Sequence, residues 1–282
     1  MYNFKEKCLQ TRRDILRMIY NAKSGHPGGA LGATEYFIAL FHEVMDFHSK
    51  NDQKEGKEED LFFLSNGHIS AVLYSVLARK GYFAIDELSK FRKINSRLQG
   101  HPSVYEKLPG IRIASGSLGQ GMSVALGVAQ SKQISNDSYL LYSYHGDGEL
   151  NEGQNWEAIL YAGAKKVDNY IATIDYNKIQ IDGNTDKVML LGNIKMKFES
   201  FGWYVLEETK GNCINSVINI LQKAKKKAKK GKPICILLHT EMGHGVDFMN
   251  GSFQWHGKSP TYDELKKALH QLPETIFGDY DK

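Results

Sequence analysis

Tyr139-Leu-Leu-Tyr-Ser-Tyr144 is a short apolar run that passes directly into His145-Gly146-Asp147-Gly148. A helix-like stretch from Asn155 to Ala164 follows, and then a second apolar run, Tyr170-Ile-Ala-Thr-Ile174, delivers Asn177. Strand, glycine turn, helix and strand in that order predict a parallel pair covered by helices on both faces. Sheets of this kind bind ligands in the crevice at the carboxyl ends of their strands, where Asp147 and Asn177 would lie. A glycine-flanked Asp by itself is a common tight turn. Joined to Asn177 by this spacing, it becomes one of two hard oxygen ligands able to hold a small divalent cation against a diphosphate.

The same alternation extends in both directions. Upstream, a helix is expected from about residue 5 to 23, with Leu9, Ile15, Leu16 and Ile19 on one side, stopping at Ser24-Gly25-His26-Pro27-Gly28-Gly29. A second helix is expected from about Ala33 to Phe47, and the polar segment Ser49 to Asp60 reads as an exposed connection. Leu61-Phe-Phe-Leu64 is a buried strand ending in Ser65-Asn66-Gly67-His68, with a small-residue helix running to Lys80. Leu118-Gly119-Gln120-Gly121 opens a helix that ends near Ser131. Trp203-Tyr-Val-Leu206 and Ile234-Cys-Ile-Leu-Leu238 are two more strands around a basic helix. The fold class predicted is α/β, a three-layer αβα arrangement around a mainly parallel sheet. It forms a single domain over 1–282, with a C-terminal extension from about 243.

The expected cation set is the Asp147 carboxylate, the Asn177 side-chain carbonyl and the Ile179 backbone carbonyl. Two diphosphate oxygens and a water would complete the octahedron that Mg2+ demands. Glycines 146 and 148 let the backbone approach phosphate oxygens closely. Ser115-Gly116-Ser117-Leu118-Gly119-Gln120-Gly121 reads either as close helix–strand packing or as a backbone cradle at a helix N-terminus. The chain contains neither a Gly-x-x-x-x-Gly-Lys-Ser/Thr phosphate loop nor a strand-associated Gly-x-Gly-x-x-Gly. Four of the ten histidines, His26, His68, His101 and His256, stand beside glycine or proline at expected element ends, where imidazoles can move protons near neutral pH. His42 and His48 flank the exposed connection and carry no role, and His239 reads as a strand-end residue.

Composition narrows the partners. The net charge is only +4 over 282 residues, and much of it lies in Lys223-Ala-Lys-Lys-Lys-Ala-Lys-Lys230. That run follows Ile214, Val217, Ile218 and Leu221 at helical spacing, so it reads as the solvated end of an amphipathic helix. With no aromatics interleaved, it does not form a nucleic-acid platform. No apolar stretch reaches the ~20 residues needed to span a bilayer. Cys8, Cys213 and Cys235 lack metal or redox spacing and read as reduced thiols of a cytoplasmic protein.

The motifs occur in the order of a known family. From about residue 10 to 260 the chain resembles transketolase, specifically its N-terminal thiamin diphosphate-binding domain, and it resembles the smaller subunit of split transketolases. The resemblance rests on Ser24-Gly25-His26-Pro27-Gly28, Leu64-Ser65-Asn66-Gly67-His68, Gly100-His101-Pro102 and Gly116-Ser117-Leu118-Gly119-Gln120-Gly121. It continues through Gly146-Asp147-Gly148-Glu149-Leu150-Asn151-Glu152-Gly153, Asp175-Tyr176-Asn177, Ile181-Asp182-Gly183 and Trp255-His256-Gly257.

The resemblance implies thiamin diphosphate and Mg2+ (or Ca2+ or Mn2+) held by Asp147, Asn177 and Ile179. His68, Gly116, Gly148 and His256 would contact the diphosphate, and Leu118 the aminopyrimidine. His26 and His101 would bind donor hydroxyls and handle protons, and Glu152 would link the two cofactor sites of the assembly. It further implies ketol transfer between sugar phosphates by an α2β2 heterotetramer, with a C-terminal partner supplying the pyrimidine-binding domain. Ser103, His145 and Met242 depart from the pattern, at places where relatives carry an acidic residue, an aliphatic residue and a lysine. These departures leave open a specialised sugar pathway with a non-standard substrate. A non-catalytic protein of the same fold and a decarboxylating 2-oxo acid relative are the other readings.

Overall fold

The computed structural model describes residues 3–47 and 56–281. In chain order the helices are α1 (Phe4–Ala22), α2 (Pro27–Gly32), α3 (Thr34–Ala39), α4 (Ser70–Lys80), α5 (Gly121–Ile134), α6 (Gly153–Ala164), α7 (Thr185–Val188), α8 (Ile194–Ser200), α9 (Ile214–Lys227) and α10 (Tyr262–Gln271). The strands are β1 (Leu61–Leu64), β2 (Leu141–Gly146), β3 (Tyr170–Asp175), β4 (Ile179–Gln180), β5 (Gly183–Asn184), β6 (Tyr204–Glu208) and β7 (Ile234–Leu238). Five strands form one sheet in the order β1-β2-β3-β7-β6, every pair parallel. Strands β4 and β5 make a separate antiparallel hairpin.

Alternate residues of each strand enter different cores, as a period of two requires. Phe62 and Leu64 pack with Tyr36, Phe37 and Tyr144 on the face covered by α1, α3, α4 and α9. Leu61 and Phe63 pack with Met122, Leu126 and Ile159 on the face covered by α5 and α6. The result is the expected αβα sandwich. Close approach fixes one layer: a Cβ on Gly163 would lie 1.7 Å from the Phe201 carbonyl oxygen.

The register places the functional ends level. Leu64 pairs with Tyr144, Gly146 with Asp175, and Asp175 with Leu238. The segments leaving β1, β2, β3 and β7 therefore emerge at one rim.

Several expectations need correction. The Ser24–Gly29 break is shorter than expected, because α2 begins at Pro27, whose fixed φ and missing N–H suit the first helical position. The second helix does not run to Phe47. It ends at Ala39, passes through one π turn over Leu40–Val44, and becomes extended at Met45. Part of the expected exposed connection lies outside the described residues, as does His48. Its end is not exposed: Gly56, Glu59 and Asp60 are buried. Buried Lys132 explains this by donating to the carbonyls of Gly56 and Glu59 at 3.1 and 3.0 Å, with Asp137 at 2.6 Å. His42 is half-buried in the π turn, and burial pushes its imidazole down to about 3.

The C-terminal segment packs firmly on α1. Leu265, Ala268, Leu272 and Tyr280 are buried, and Asp279 accepts from Arg13 at 2.8 and 2.7 Å and from Gln10 at 3.1 Å. A capping box at Thr261 and Glu264 starts α10. The basic run closes α9 near its C-terminus, and Lys225 there reaches the Val44 carbonyl at 2.6 Å and Asp46 at 2.7 Å.

Candidate active site

The level strand ends enclose a cavity of about 320 Å³. From β1 come Asn66 and His68; from β2, Gly146, Asp147 and Gly148; from β3 and the hairpin, Asp175, Asn177, Ile179 and Gln180. The remaining walls include His26 before α2, His101, Gly116 and Leu118 before α5, and Met242 and His256 after β7. Ten of the eleven residues singled out from the sequence thus line one cavity. Glu152 is the exception: it is exposed, at the N-cap of α6, where Gly119 lies against its Cβ.

Asp147 sits at the end of β2, 2% exposed. Its Oδ1 accepts the N–H of Gly148 at 2.8 Å and its Oδ2 the N–H of Lys178 at 2.6 Å. The Asn177 Oδ1 accepts from the Ile179 N–H at 2.9 Å, and its amide bonds Asp175. The hydroxyl of Thr240 also bonds Asp175. Burial and the adjacent Asp175 push the Asp147 carboxyl up to about 7, against the two N–H donors. Burial likewise raises Asp175 to about 6.

Two buried carboxylates thus face one cavity with no lysine or arginine in its lining. A bound cation would offset that uncompensated negative charge. Among the described residues no three His, Cys, Asp or Glu side chains cluster as metal ligands. A set of one carboxylate, one amide and one backbone carbonyl is compatible with that finding, and it suits a hard cation that completes its shell with ligand oxygens and water.

Three imidazoles stand in mutual contact. Ring centroids lie 5.0 Å apart for His26 and His68, 5.3 Å for His68 and His256, and 5.7 Å for His26 and His256. Burial, then His256, Arg92 and His101, push His26 down to about 4. Burial also holds His68 well below its usual range, and His256 and His101 are lowered for the same reason. The Nδ1 atoms of His26 and His256 are buried with no partner in the chain. Neutral rings with uncommitted nitrogens can accept or donate a proton at neutral pH.

Gly116 has φ 129°, and a Cβ there would meet the His101 ring at 2.8 Å. The glycine therefore sets the approach of His101 to the rim.

Sequence reasoning missed Glu149. Its carboxylate is buried and accepts from the Ser65 hydroxyl, from the Gly119 N–H at 3.0 Å and from the Gly146 N–H at 3.3 Å. The Gly119 N–H is thus committed to the protein rather than to a ligand, which narrows the expected backbone cradle. His145 is fully buried rather than a free polar group. Its Nε2 lies 2.8 Å from the Ser143 hydroxyl, which is 2.7 Å from the Tyr170 hydroxyl.

Comparison with known proteins agrees with this geometry. The family model described as "Transketolase, thiamine diphosphate binding domain" matches residues 5–275. The chain belongs to the transketolase family. It is 36% identical over 273 residues to one of the two apulose-4-phosphate transketolase subunits of Actinobacillus succinogenes, covering 96% of each chain. It is 37% identical over 261 residues to the 6-deoxy-6-sulfo-D-fructose transketolase subunit SqwG of a Clostridium species, covering 93% of each. Human transketolase is 35% identical over 276 residues, but the chain spans only 42% of that protein. The solved transketolase of Leishmania mexicana superposes with a TM-score of 0.90 at 28% identity, over 100% of this chain and 43% of that one.

Proposed function

We propose that this transketolase-family chain is the thiamin diphosphate- and Mg2+-binding subunit of a two-component transketolase. With its partner it would transfer a two-carbon ketol unit from a ketose donor to an aldehyde acceptor. The observation that carries this reading is the meeting of Asp147, Asn177 and Ile179 with His26, His68 and His256 around one cavity.

Asp147, Asn177 and Ile179 would hold Mg2+, with Ca2+ or Mn2+ as substitutes. His68, His256, Gly116 and Gly148 would hold the diphosphate, and Leu118 would support the aminopyrimidine. When bound, thiamin diphosphate supplies a carbon nucleophile and an electron sink. The chain's own part is to orient, exclude water and move protons. His26 and His101 would hydrogen-bond donor hydroxyls and take a proton as the carbon–carbon bond breaks, help that typically contributes about 10²–10⁴-fold.

The partner would be a C-terminal chain carrying the pyrimidine-binding domain, in an α2β2 assembly with Glu152 linking the two sites. The chain covers 42% of the full human enzyme but 96% of the Actinobacillus protein, itself a transketolase subunit, and this contrast supports the division. Exposed apolar residues support it as well. Val124 lies on α5, and Leu160 and Tyr161 lie on α6. These helices are held side by side by Gln120–Gln154 and Gln130–Tyr161 hydrogen bonds at 2.8 and 3.0 Å.

We place the protein in the cytoplasm on its three free cysteines; among the described residues no helix is long and apolar enough to cross a membrane. Nucleic acid and membrane are not expected partners. A second reading, a specialised sugar pathway with a non-standard substrate, draws support from the apulose-phosphate and sulfofructose enzymes among its relatives. Buried Met242 in the cavity wall, in place of a cation, favours it too.

The test is ketol transfer by the purified chain, alone and mixed with a candidate partner, across a panel of phosphorylated and unphosphorylated ketoses and aldehydes. Activity only in the mixture is expected. Full activity from this chain alone would defeat the two-component assignment.

A further inference from the structure

Two amides in the cavity have nothing to bond. Asn66 is 2% exposed, and its Oδ1 is buried without a partner. A half-turn of that amide exchanges its oxygen for its NH2 group, so it can present either to a ligand. Gln180 lines the same cavity, and its Nε2 is buried without a partner. Neither position is slack. The backbone around Asn66 is pinned by Ser65 N–H to Tyr144 O at 2.9 Å and Ile69 N–H to Asn66 O at 3.1 Å. Gln180 is held in the β4–β5 hairpin opposite Gly183.

The two side chains flank the metal turn. A Cβ on Gly146 would lie 3.9 Å from the Asn66 Nδ2, and one on Gly148 would lie 2.9 Å from the Gln180 Cγ and 3.5 Å from its Nε2. Leaving a buried amide unpaired is costly, so two at one turn call for a ligand that completes them.

The rest of the lining says which ligand atoms those would be. No lysine or arginine lines the cavity. The Gly148 and Lys178 N–H groups are already taken by Asp147, and the Gly119 N–H by Glu149. A multiply charged anion entering this site therefore finds few free N–H donors besides the imidazoles, and the two amides are uncommitted.

We propose that Asn66 and Gln180 are a pair of amide donors to the cofactor's diphosphate oxygens, one on each side of the Gly146–Asp147–Gly148 turn. The proposal rests on the reading of this cavity as a thiamin diphosphate site.

The test is calorimetric titration of the full chain, alone and with its partner, using thiamin diphosphate and inorganic pyrophosphate in the presence of Mg2+. Gln180→Leu and Asn66→Leu should each weaken binding of both ligands by about tenfold or more, as expected for loss of a hydrogen bond to a charged group. Gln180→Glu conserves size but replaces the donor with a carboxylate, so it should weaken binding more than Gln180→Leu. A side chain that merely fills space would show the opposite order. Thermal melts by circular dichroism check folding, and Asn66→Ser takes the place of Asn66→Leu should the latter fail to fold.

Wild-type affinity in folded Gln180→Leu and Gln180→Glu would overturn the proposal and leave amides that only water satisfies. If the wild-type chain binds neither probe under any of these conditions, the assignment of the cavity itself fails, and the amide pair falls with it.

Discussion

The Glu149 carboxylate accepts the backbone N–H of Gly119 at 3.0 Å, joining two glycine loops thirty residues apart. The same carboxylate takes the Ser65 hydroxyl and the Gly146 N–H, so the ends of β1 and β2 and the start of α5 share one buried anchor. Glu149→Ala would leave buried donors unsatisfied at three places. A loss of about 2–4 kcal/mol is expected, read as a lower urea midpoint with an unchanged m-value. Glu149→Gln keeps the acceptor oxygen and should recover part of it.

Asp147→Ala should weaken Mg2+-dependent thiamin diphosphate binding by about 100-fold or more, since even groups that only orient a metal ligand are worth 10–100-fold. The change also relieves the repulsion between Asp147 and Asp175, so the melting temperature of the cofactor-free chain should hold or rise. Unaltered binding in this variant would exclude Asp147 as a ligand.

The histidine cluster predicts a pH dependence with a definite sign. His26 titrates near 4 in the folded chain and near 6.5 when unfolded, so between those values the unfolded state binds more protons. Its contribution to stability is present above pH 6.5 and is lost as the pH falls toward 4. His68, His256, His101 and Arg92 surround it, so acidification charges the cluster against itself. Melting temperatures of the cofactor-free chain measured from pH 7 to 4.5 should fall less steeply for His26→Gln than for wild type. Equal slopes would show that the imidazole is not held neutral.

Arg12 and Glu35 form a buried pair, with Nη2 2.8 and 2.6 Å from the two carboxylate oxygens. Arg12 Nε also donates to the His244 carbonyl at 3.0 Å, tying α1 to the segment that carries Met242 into the cavity. Arg12→Ala strands a buried carboxylate and should cost about 3–5 kcal/mol in chemical denaturation. The double replacement Arg12→Leu with Glu35→Leu should be closer to wild type than either single change.

Much of the site was legible in the order of residues. Tyr139–Tyr144 and Tyr170–Ile174 are apolar enough to mark central parallel strands, and the glycines around Asp147 mark a turn at the carboxyl end of the first. Local chemistry of that kind is written in neighbouring residues. It also located ten cavity residues spread from His26 to His256. It misjudged Pro27 as a stop because helix-breaking and helix-starting prolines look alike until the chain direction around them is known. It misjudged Glu59 and Asp60 as exposed because their buried partners, Lys132 and the Leu140 N–H, lie some seventy to eighty residues away.

Order along the chain therefore settled the strand–helix alternation, the family and the metal turn, since each depends on residues close to one another. Tertiary structure alone decided that Glu149 anchors two glycine loops, that Asp175 braces Asn177, and that Asn66 and Gln180 stand unpaired beside Asp147. Those meetings depend on sheet register, Leu64 against Tyr144 and Gly146 against Asp175, which levels four strand ends at one rim. A shift of a single residue would turn each side chain to the opposite face.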